Sequence, residues 1–214
     1  MLINDLHIPF HEKIVIEKAI QYGKKRKITG IFINGDLQDC QAVSFWPSVI
    51  RKDFMKEIMV VNDFFDYLQQ EFPGVPIVYK PGNHEYRLPR YYAAKLPEMI
   101  GSPVLAMETI LDFDGRGIEF LDYFQIVMAG KLPILHGHEV RISTAVNPAR
   151  GLFLKAKSWA LCGHSHRTSE HTGTNINDDY LTTWSVGCMC DLHPEYNPIG
   201  TNGQNGMVGD RFEK

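Results

Sequence analysis

The chain has 214 residues, 44% of them hydrophobic, which is enough for one well-buried α/β domain and short for two. Its formal net charge is −3 and its isoelectric point is near 6.3, which argues against nucleic-acid binding by bulk charge alone but permits a local basic rim. No apolar run approaches the about 20 residues of a membrane span, and no signal peptide opens the chain. We therefore expect a cytoplasmic protein, with its four cysteines as reduced thiols.

Hydrophobic periodicity predicts alternating strands and helices in the first half of the chain and mostly strands in the second. The predicted strands are 1–4, 28–34, 75–79 and 158–162, and the predicted helices are 12–24, 85–95 and 146–157. A further helix is predicted because Ile58, Val61, Phe65, Leu68 and Phe72 repeat at steps of three and four. The pattern favours an α/β (α+β) fold in which two mixed sheets face each other with helices outside.

Two hairpins are expected in the second half. Short β-type runs between 110 and 136 are broken by Asp114–Gly117, which is a turn signal. Another hairpin is predicted to join 168–174 to 180–187. We expect residues 1–194 to form a single domain, and we expect the polar segment 195–214 to be a mobile C-terminal tail, because it has little to pack.

Side chains that can bind metals follow five apolar runs directly. Asp36 follows the run Ile31-Phe-Ile-Asn-Gly, with Asp39 three residues later. The other four runs lead into Asp5 and His7, Asn83 and His84, His136, and His164 and His166. One aspartate after a strand is commonly a turn or a cap. Five strand ends that deliver such residues to one rim are typical of a metal site.

The donor types indicate two metal ions. Carboxylate and amide oxygens combined with imidazoles suit ions of borderline hardness, with manganese as our first expectation and iron, zinc, nickel or cobalt as alternatives. Seven candidates are too many for one tetrahedral zinc, but they suit two divalent or trivalent ions that share one carboxylate. They are Asp5, His7, Asp36, Asn83, His136, His164 and His166. We choose Asp36 as the shared ligand, because its two oxygens can face different ions.

Charge arithmetic indicates a phosphate ester as the substrate. Two divalent ions bring more positive charge than Asp5 and Asp36 return as negative charge, so the site attracts a phosphate and stabilises its transition state. A water molecule between the ions would lose a proton near neutral pH and attack phosphorus as a metal-bound hydroxide.

These motifs together resemble the calcineurin-like metallophosphoesterases. The resemblance rests on Asp5-x-His7, Gly35-Asp36-x-x-Asp39, Gly82-Asn83-His84-Glu85, His136-Gly137 and Gly163-His164-x-His166, which stand in the family's order across about three quarters of the chain. The run Gly82-Asn-His-Glu-Tyr-Arg-Leu-Pro-Arg90 looks like that of small phage and bacterial members. The family implies a four-layer αββα sandwich. It also implies that Asp5, His7 and His166 bind one metal, that Asn83, His136 and His164 bind the other, that Asp36 bridges, and that His84 is the general acid or a clamp on the phosphate.

The substrate is less sharply indicated than the chemistry. Phosphoprotein phosphatases of the superfamily have Asp-Arg-Gly where this chain has Asp39-Cys40-Gln41, so the phosphate-holding arginine is missing. Because the chain is compact and has no obvious cap domain, we expect phosphodiesters, either nucleotides or nucleic acid. The alternatives are a phosphomonoesterase or protein phosphatase, and a non-catalytic binding scaffold with this fold. The sequence carries no signal for an oligomeric state.

Further residues are expected around the metals. Asp39 and Glu85 are candidates for orienting ligands, although Glu85 could simply cap a helix. His138 is a candidate for the rim beside His136. Four arginines follow the motifs, and we expect at least one of them to hold the phosphate. They are Arg87, Arg90, Arg141 and Arg167, with Arg87 and Arg167 as the leading candidates.

Overall fold

The computed structural model describes residues 1–46, 53–142, 146–194 and 203–206. Within these ranges the strands form two sheets, and helices cover their outer faces. Most of the predicted tail, 195–214, lies outside the described residues, and so does 47–52 of the stretch before the second long helix. In the described part of the chain, no helix has both the length and the apolar character that a membrane span requires.

The first sheet is entirely parallel. Its strands stand side by side in chain order: β1 (Leu2–Ile3), β2 (Ile31–Asn34), β3 (Ile77–Lys80) and β4 (Ile118–Phe120). The crossovers between them contain α1 (Lys13–Arg26), α2 (Phe54–Glu71), α3 (Arg87–Lys95), α4 (Met107–Ile110) and α5 (Phe113–Arg116). Such crossovers are required because parallel neighbours cannot be joined by a tight turn.

The second sheet is mixed. It has the order β5–β6–β7–β9–β8, formed by β5 (Val127–Ala129), β6 (Leu132–Leu135), β7 (Ala160–Cys162), β8 (Ser169–Thr174) and β9 (Tyr180–Ser185). Strands β6, β7 and β9 run parallel, whereas β5 and β8 lie antiparallel at the two edges. The crossover from β6 to β7 contains α6 (Pro148–Ala156).

Alternating side chains along the strands create four layers. Ile31 and Ile33 of β2 lie in the main core with residues of α1 and α2, whereas Phe32 between them packs with Leu161 of β7. On the second sheet, Leu135 and Cys162 belong to a cluster with Leu152 of α6. The layers are therefore α1 with α2, the first sheet, the second sheet, and α6. The predicted αββα sandwich is confirmed.

The two long helices bury the faces that their sequences predict. In α2, buried residues include Ile58, Val61, Phe65 and Leu68, and Asp53 begins the helix by accepting the amide N–H of Lys56 at 3.1 Å. Helix α1 ends in three basic residues, which suit the negative end of the helix dipole. Both helices thus hold the first sheet from outside and leave its strand ends uncovered.

One predicted hairpin is wrong and the other is confirmed. The stretch Asp114–Gly117 forms the end of α5 and its cap, with Gly117 at φ 64°, and β4 then pairs parallel to β3. A glycine that adopts a left-handed conformation ends a helix as readily as it makes a hairpin turn, so the turn signal was ambiguous. Strands β8 and β9 form the second hairpin, with Thr174 opposite Tyr180.

Candidate metal centre

The carboxyl ends of five strands meet at one rim of the sandwich. Strands β1, β2 and β3 of the first sheet and β6 and β7 of the second lead into the seven candidate ligands. Asp5, His7, Asp36 and His136 are buried, and Asn83, His164 and His166 are half-buried. Ligands in open α/β sheets bind at such strand ends. The two sheets therefore contribute to one shared site.

The carboxylate of Asp36 lies between two groups of imidazoles. Its Oδ2 is 3.2 Å from Nε2 of His136 and 3.7 Å from Nε2 of His7. The ligand atoms of Asp36, His136 and His164 all lie within 4.8 Å of one another, and so do those of His7, Asp36 and His84. One carboxylate thus faces potential ligands from both sheets.

The hydrogen bonds of His136 leave a lone pair that points at oxygens. Its Nδ1 lies 2.9 Å from the carbonyl oxygen of Asn34, which can only accept, so the ring proton is on Nδ1. Nε2 of the neutral ring then faces Oδ2 of Asp36 and, at 3.2 Å, Oδ1 of Asn83. A cation among these three electron-rich atoms, either a metal ion or a second proton on the ring, would balance them.

The second group of imidazoles shows the same arrangement. Nδ1 of His7 is 3.1 Å from Oδ1 of Asp39, so Nε2 is again the lone-pair atom, and it lies 3.0 Å from Nε2 of His166. The same nitrogen of His166 is 3.3 Å from Oδ1 of Asp5. An outer carboxylate that fixes the tautomer of a histidine is typical of metal sites. The residues therefore fit a cation at this position as well.

The electrostatics of the site also favour added positive charge. Burial alone would lower the pKa of His136, but the carboxylates of Asp36 and Asp5 outweigh it and raise that pKa to about 9. Burial would raise the pKa of Asp5, yet His136 and the hydrogen bond to His166 hold it at about 2. Oxygen and nitrogen donors in a field of this sign suit divalent ions of borderline hardness.

The backbone at the site is held in an uncommon conformation. Five of the seven candidate ligands have a left-handed φ between 49° and 65°, although none is a glycine. They are Asp5, His7, Asp36, His164 and His166. Residues in this region cost free energy and cluster at functional sites. Gly163 allows the close approach of the segments, since an added Cβ would lie 2.5 Å from Oδ2 of Asp5.

Comparison with known proteins agrees with this geometry. The sequence model of the calcineurin-like phosphoesterases matches residues 1–181. The chain belongs to this family. It is also similar to the Gene 54 protein of Mycobacterium phage L5, at 27% identity over 206 residues, and to the Gene 54 protein of Mycobacterium phage D29, at 25% over 204 residues. Each alignment covers 90% of this chain and 79% of the phage protein.

His84 stands at the open side of this phosphoesterase site. Its Nδ1 lies 3.0 Å from the carbonyl oxygen and 3.1 Å from Oδ1 of Asp39, and its Nε2 is 3.9 Å from Oδ2 of Asp36. Burial and the positive charge of Arg87 would lower the pKa of His84. The carboxylates of Asp36 and Asp39 outweigh both effects and raise that pKa. The ring is 17% exposed. His84 is therefore accessible from the open side of the site.

Arg87 is the best placed of the four arginines. Its Nη2 lies 3.0 Å from Nε2 of His84, and its Nη1 donates to the carbonyl oxygen of Asp39 at 2.8 Å. Arg90 is exposed and lies over the ring of Phe45, at 6.0 Å from the ring centre. Arg141 is exposed, and Arg167 is half-buried one residue after His166. Arg87 thus contacts the candidate acid directly.

Glu85 and His138 occupy different positions around the site. Glu85 is fully buried and accepts the amide N–H groups of Gly82, Asp36 and Gln38 at 2.7, 3.1 and 2.8 Å. It therefore fixes the loop that carries Asp36, beyond the simple cap that its sequence position allowed. The ring of His138 is 5.3 Å from that of His136 and 6.5 Å from that of His164, which places it at the rim.

Three supporting residues were not found from the sequence. Asn4 donates to Oδ2 of Asp5 at 2.6 Å, and Sγ of Cys190 lies 3.8 Å from Nδ1 of His166. Glu139 accepts the amide N–H groups of His136 and Gly137 at 2.9 and 2.6 Å. Glu139 stands three residues after His136, as Glu85 stands three after Gly82, and this repeated spacing was the available signal. Nothing in the sequence marks Cys190.

Proposed function

We propose that this protein is a dinuclear-metal phosphoesterase that prefers phosphodiesters. The observation that carries the proposal is the position of Asp36, whose Oδ2 faces His136 of one sheet and His7 of the other within 3.7 Å. The paired ions, when bound, would supply an activated water and positive charge for the phosphate. Manganese is the ion that we would add first, because the oxygen and imidazole donors suit it.

The ligands divide into two sets around Asp36. We assign Asp5, His7 and His166 to one ion, since Nε2 of His166 lies near both Oδ1 of Asp5 and Nε2 of His7. We assign Asn83, His136 and His164 to the other. The short contact between Oδ1 of Asn83 and Nε2 of His136 supports this second set.

His84 and Arg87 act on the substrate in this proposal. Nε2 of His84 is directed toward the Asp36 side of the site, and Asp39 fixes the ring through Nδ1. It is therefore placed to give a proton to the leaving oxygen, which otherwise departs as an alkoxide. Arg87, beside the same nitrogen, can donate two hydrogen bonds to phosphate oxygens.

The half-buried rim supports a preference for diesters. His84, His164 and His166 are all part-exposed, so the side of the site formed by β3 and β7 is open to solvent. A phosphodiester has a group on each side of phosphorus and needs such an opening. We expect metal-stripped protein that is reloaded with manganese to bind two ions per chain and to hydrolyse bis-p-nitrophenyl phosphate faster than p-nitrophenyl phosphate.

The matched variants are Asp36→Asn and Asp63→Asn. Asp36→Asn should lower turnover by more than the roughly 100-fold that loss of an outer partner costs. Asp63 is exposed on α2, and its variant should behave as the parent protein. A faster reaction with the monoester would instead identify a phosphomonoesterase. No turnover of either ester by protein loaded with two ions would refute the proposal and favour a binding scaffold.

The role of His84 is tested by changing the leaving group. His84→Ala should slow hydrolysis of methyl phenyl phosphate by at least about 100-fold, because phenolate needs protonation. The loss should be smaller with methyl p-nitrophenyl phosphate, since p-nitrophenolate leaves without help. His193→Ala, at an exposed histidine, is the control. An equal loss with both esters would show that His84 holds the phosphate and does not protonate the leaving group.

A further inference from the structure

A pocket adjoins the metal centre, and apart from Arg87 its lining residues have no role in the chemistry described above. Its volume is about 290 Å³, and it is lined by Ser44, Phe45, Trp46, Arg87 and Arg90. Phe45 and Trp46 follow the Gln41–Val43 turn after β2, and the two arginines belong to α3. The pocket is close to the lower end of the size range of small-molecule sites.

Two aromatic side chains at this pocket are exposed to solvent. Trp46 is 77% exposed and Phe45 is 52% exposed, although both residue types normally bury most of their surface in a protein of this size. The amide N–H of Trp46 donates to Oγ of Ser44 at 3.2 Å. Exposed aromatic rings are the usual platform on which nucleobases stack.

The charges of the pocket suit an anion that carries a flat ring. The guanidinium of Arg90 lies over Phe45, and none of the five lining residues is acidic. Among the residues that the structure describes, the carboxylate in contact with these arginines is that of Asp39, whose Oδ2 lies 3.6 Å from Nη1 of Arg87. Two cations beside two aromatic faces combine the phosphate and base contacts of sites for single-stranded nucleic acid.

The pocket is connected to the reacting atoms through Arg87. Nη2 of Arg87 touches Nε2 of His84, and Nε2 of His84 is in turn 3.9 Å from Oδ2 of Asp36. A group held against Trp46 is therefore next to the phosphate that His84 would serve. This continuity distinguishes the pocket from the groove between α1 and α2, which is lined by residues such as Val60 and Tyr67 and includes neither His84 nor any of the seven candidate metal ligands.

We propose that Phe45, Trp46 and Arg90 form a subsite that binds a nucleobase attached to the scissile phosphodiester. This inference rests on the proposed function and narrows its substrate class. The base stacks on Trp46 and Phe45, and Arg90 contacts the adjoining sugar-phosphate. A small nucleotide ester and a single-stranded nucleic acid both carry a base attached to a sugar-phosphate. The net charge of −3 does not prevent binding of either, because the contacts are local.

The test compares two diesters with one leaving group. Thymidine 5′-(p-nitrophenyl phosphate) carries a base, and methyl p-nitrophenyl phosphate does not. For each protein, the ratio of kcat/KM for the thymidine ester to that for the methyl ester is measured with saturating manganese. Trp46→Ala should lower this ratio by about 5- to 150-fold, which is the range expected for one stacked base. Trp46→Phe, which keeps a flat ring, should restore most of it.

The control replaces an aromatic residue that is equally exposed but remote. Tyr180 begins β9, lies outside the pocket and is 74% exposed, so Tyr180→Ala should leave the ratio as in the parent protein. A single-stranded oligonucleotide that is cleaved with the same dependence on residue 46 would identify a strand as the source of the base. Cleavage of the thymidine ester alone would identify a free nucleotide.

Failure of the subsite and failure of the enzyme give different results. If both esters are hydrolysed and Trp46→Ala leaves the ratio unchanged, the subsite is refuted while the phosphoesterase stands. If neither ester is hydrolysed, binding still reports on the pocket: thymidine 5′-monophosphate should quench the tryptophan fluorescence of the parent protein and not that of Trp46→Phe. Equal quenching in both proteins, or a preference for phosphopeptide over the nucleotide, would overturn the proposal.

Discussion

Glu85 and Glu139 hold corresponding loops on the two sheets, and their electrostatic surroundings are opposite. Each stands three residues after the first residue of its motif and accepts backbone N–H groups of a segment that carries a candidate ligand. Glu139 also forms an ion pair with Lys80, whose side chain is fully buried, whereas the charged group that acts most strongly on Glu85 is the carboxylate of Asp36. Glutamates at identical positions in their motifs therefore differ: Glu139 has a cationic partner, whereas Glu85 faces another carboxylate.

The difference appears in the pKa values of the two glutamates. Burial would raise the pKa of Glu139, but Lys80 and the backbone donors lower it to about 2. Burial and Asp36 together raise the pKa of Glu85, despite the N–H groups of Gln38 and Gly82. Glu57 resembles Glu85: it accepts the amide N–H of Cys40 at 2.6 Å, and burial raises its pKa to about 8. The first sheet thus supports its loop with acids that prefer to be neutral.

Lys80→Met removes the cation that pairs with Glu139 and has the largest expected effect on stability. It leaves Glu139, whose side chain is 5% exposed, as an unpaired buried charge. Loss of one partner of a buried pair costs about 3–5 kcal/mol, so the free energy of unfolding from urea denaturation should fall by that amount. The double variant Lys80→Met/Glu139→Gln should recover part of it, and Lys131→Met, at an exposed lysine, should have little effect. A loss below about 1 kcal/mol would show that the pair does not distinguish the two loops.

Glu139→Gln tests whether the supporting acid acts on the metal. The amide cannot accept from both His136 and Gly137 without bringing an N–H donor against one of them, so the His136 loop should shift. Metal affinity, measured by competition with a chromophoric chelator, should fall about 10- to 100-fold for one ion. Glu119→Gln, at an exposed glutamate of β4, is the control. If both ions bind as tightly as before, Glu139 supports the fold alone.

Glu57→Gln measures the cost of an uncompensated acid, and its expected effect per pH unit is the smallest of the three. The folded-state pKa of Glu57, about 8, lies above its ordinary value of 4.5, so the folded protein binds the proton more tightly. The free energy of unfolding should therefore fall as the pH rises from about 5 to about 8, by at most about 1.4 kcal/mol per pH unit. Glu57→Gln should flatten this slope, and Glu17→Gln, on the exposed side of α1, should not. Parallel slopes for parent and Glu57→Gln would contradict the shift.

The candidate ligands could be predicted from the sequence more fully than the residues that hold their loops in place. Ligand-type residues after five apolar runs were enough to predict one rim, because parallel strands end at the same edge. Lys80 lay one residue beyond the predicted end of its strand, and no periodicity marks a lysine that will be buried. The Asp114–Gly117 stretch was misassigned for a related reason. This stretch ends α5 because Phe113 packs into the core against residues that are distant in sequence.

The outer residues were predictable only in part. Asp39 and Glu85 were named because they stand within a motif, and the structure brings both to the candidate ligands or their loops. Asn4 and Cys190 lie next to the site through contacts across the two sheets, which a one-dimensional pattern cannot reveal. His138 likewise packs against Phe124, with 5.6 Å between the rings, a contact that the sequence does not reveal.

The close approach at Gly35 has a consequence for assembly. A Cβ there would lie 2.3 Å from Nδ1 of His136, so the β2 loop and the end of β6 interlock without a gap. Neither half of the chain can complete the site by itself, because Asp36 comes from the first sheet and His136 from the second. A fragment that ends before β5 would hold four of the seven candidate ligands. Uptake of a full complement of ions would then report, during refolding, the moment at which the two sheets have docked.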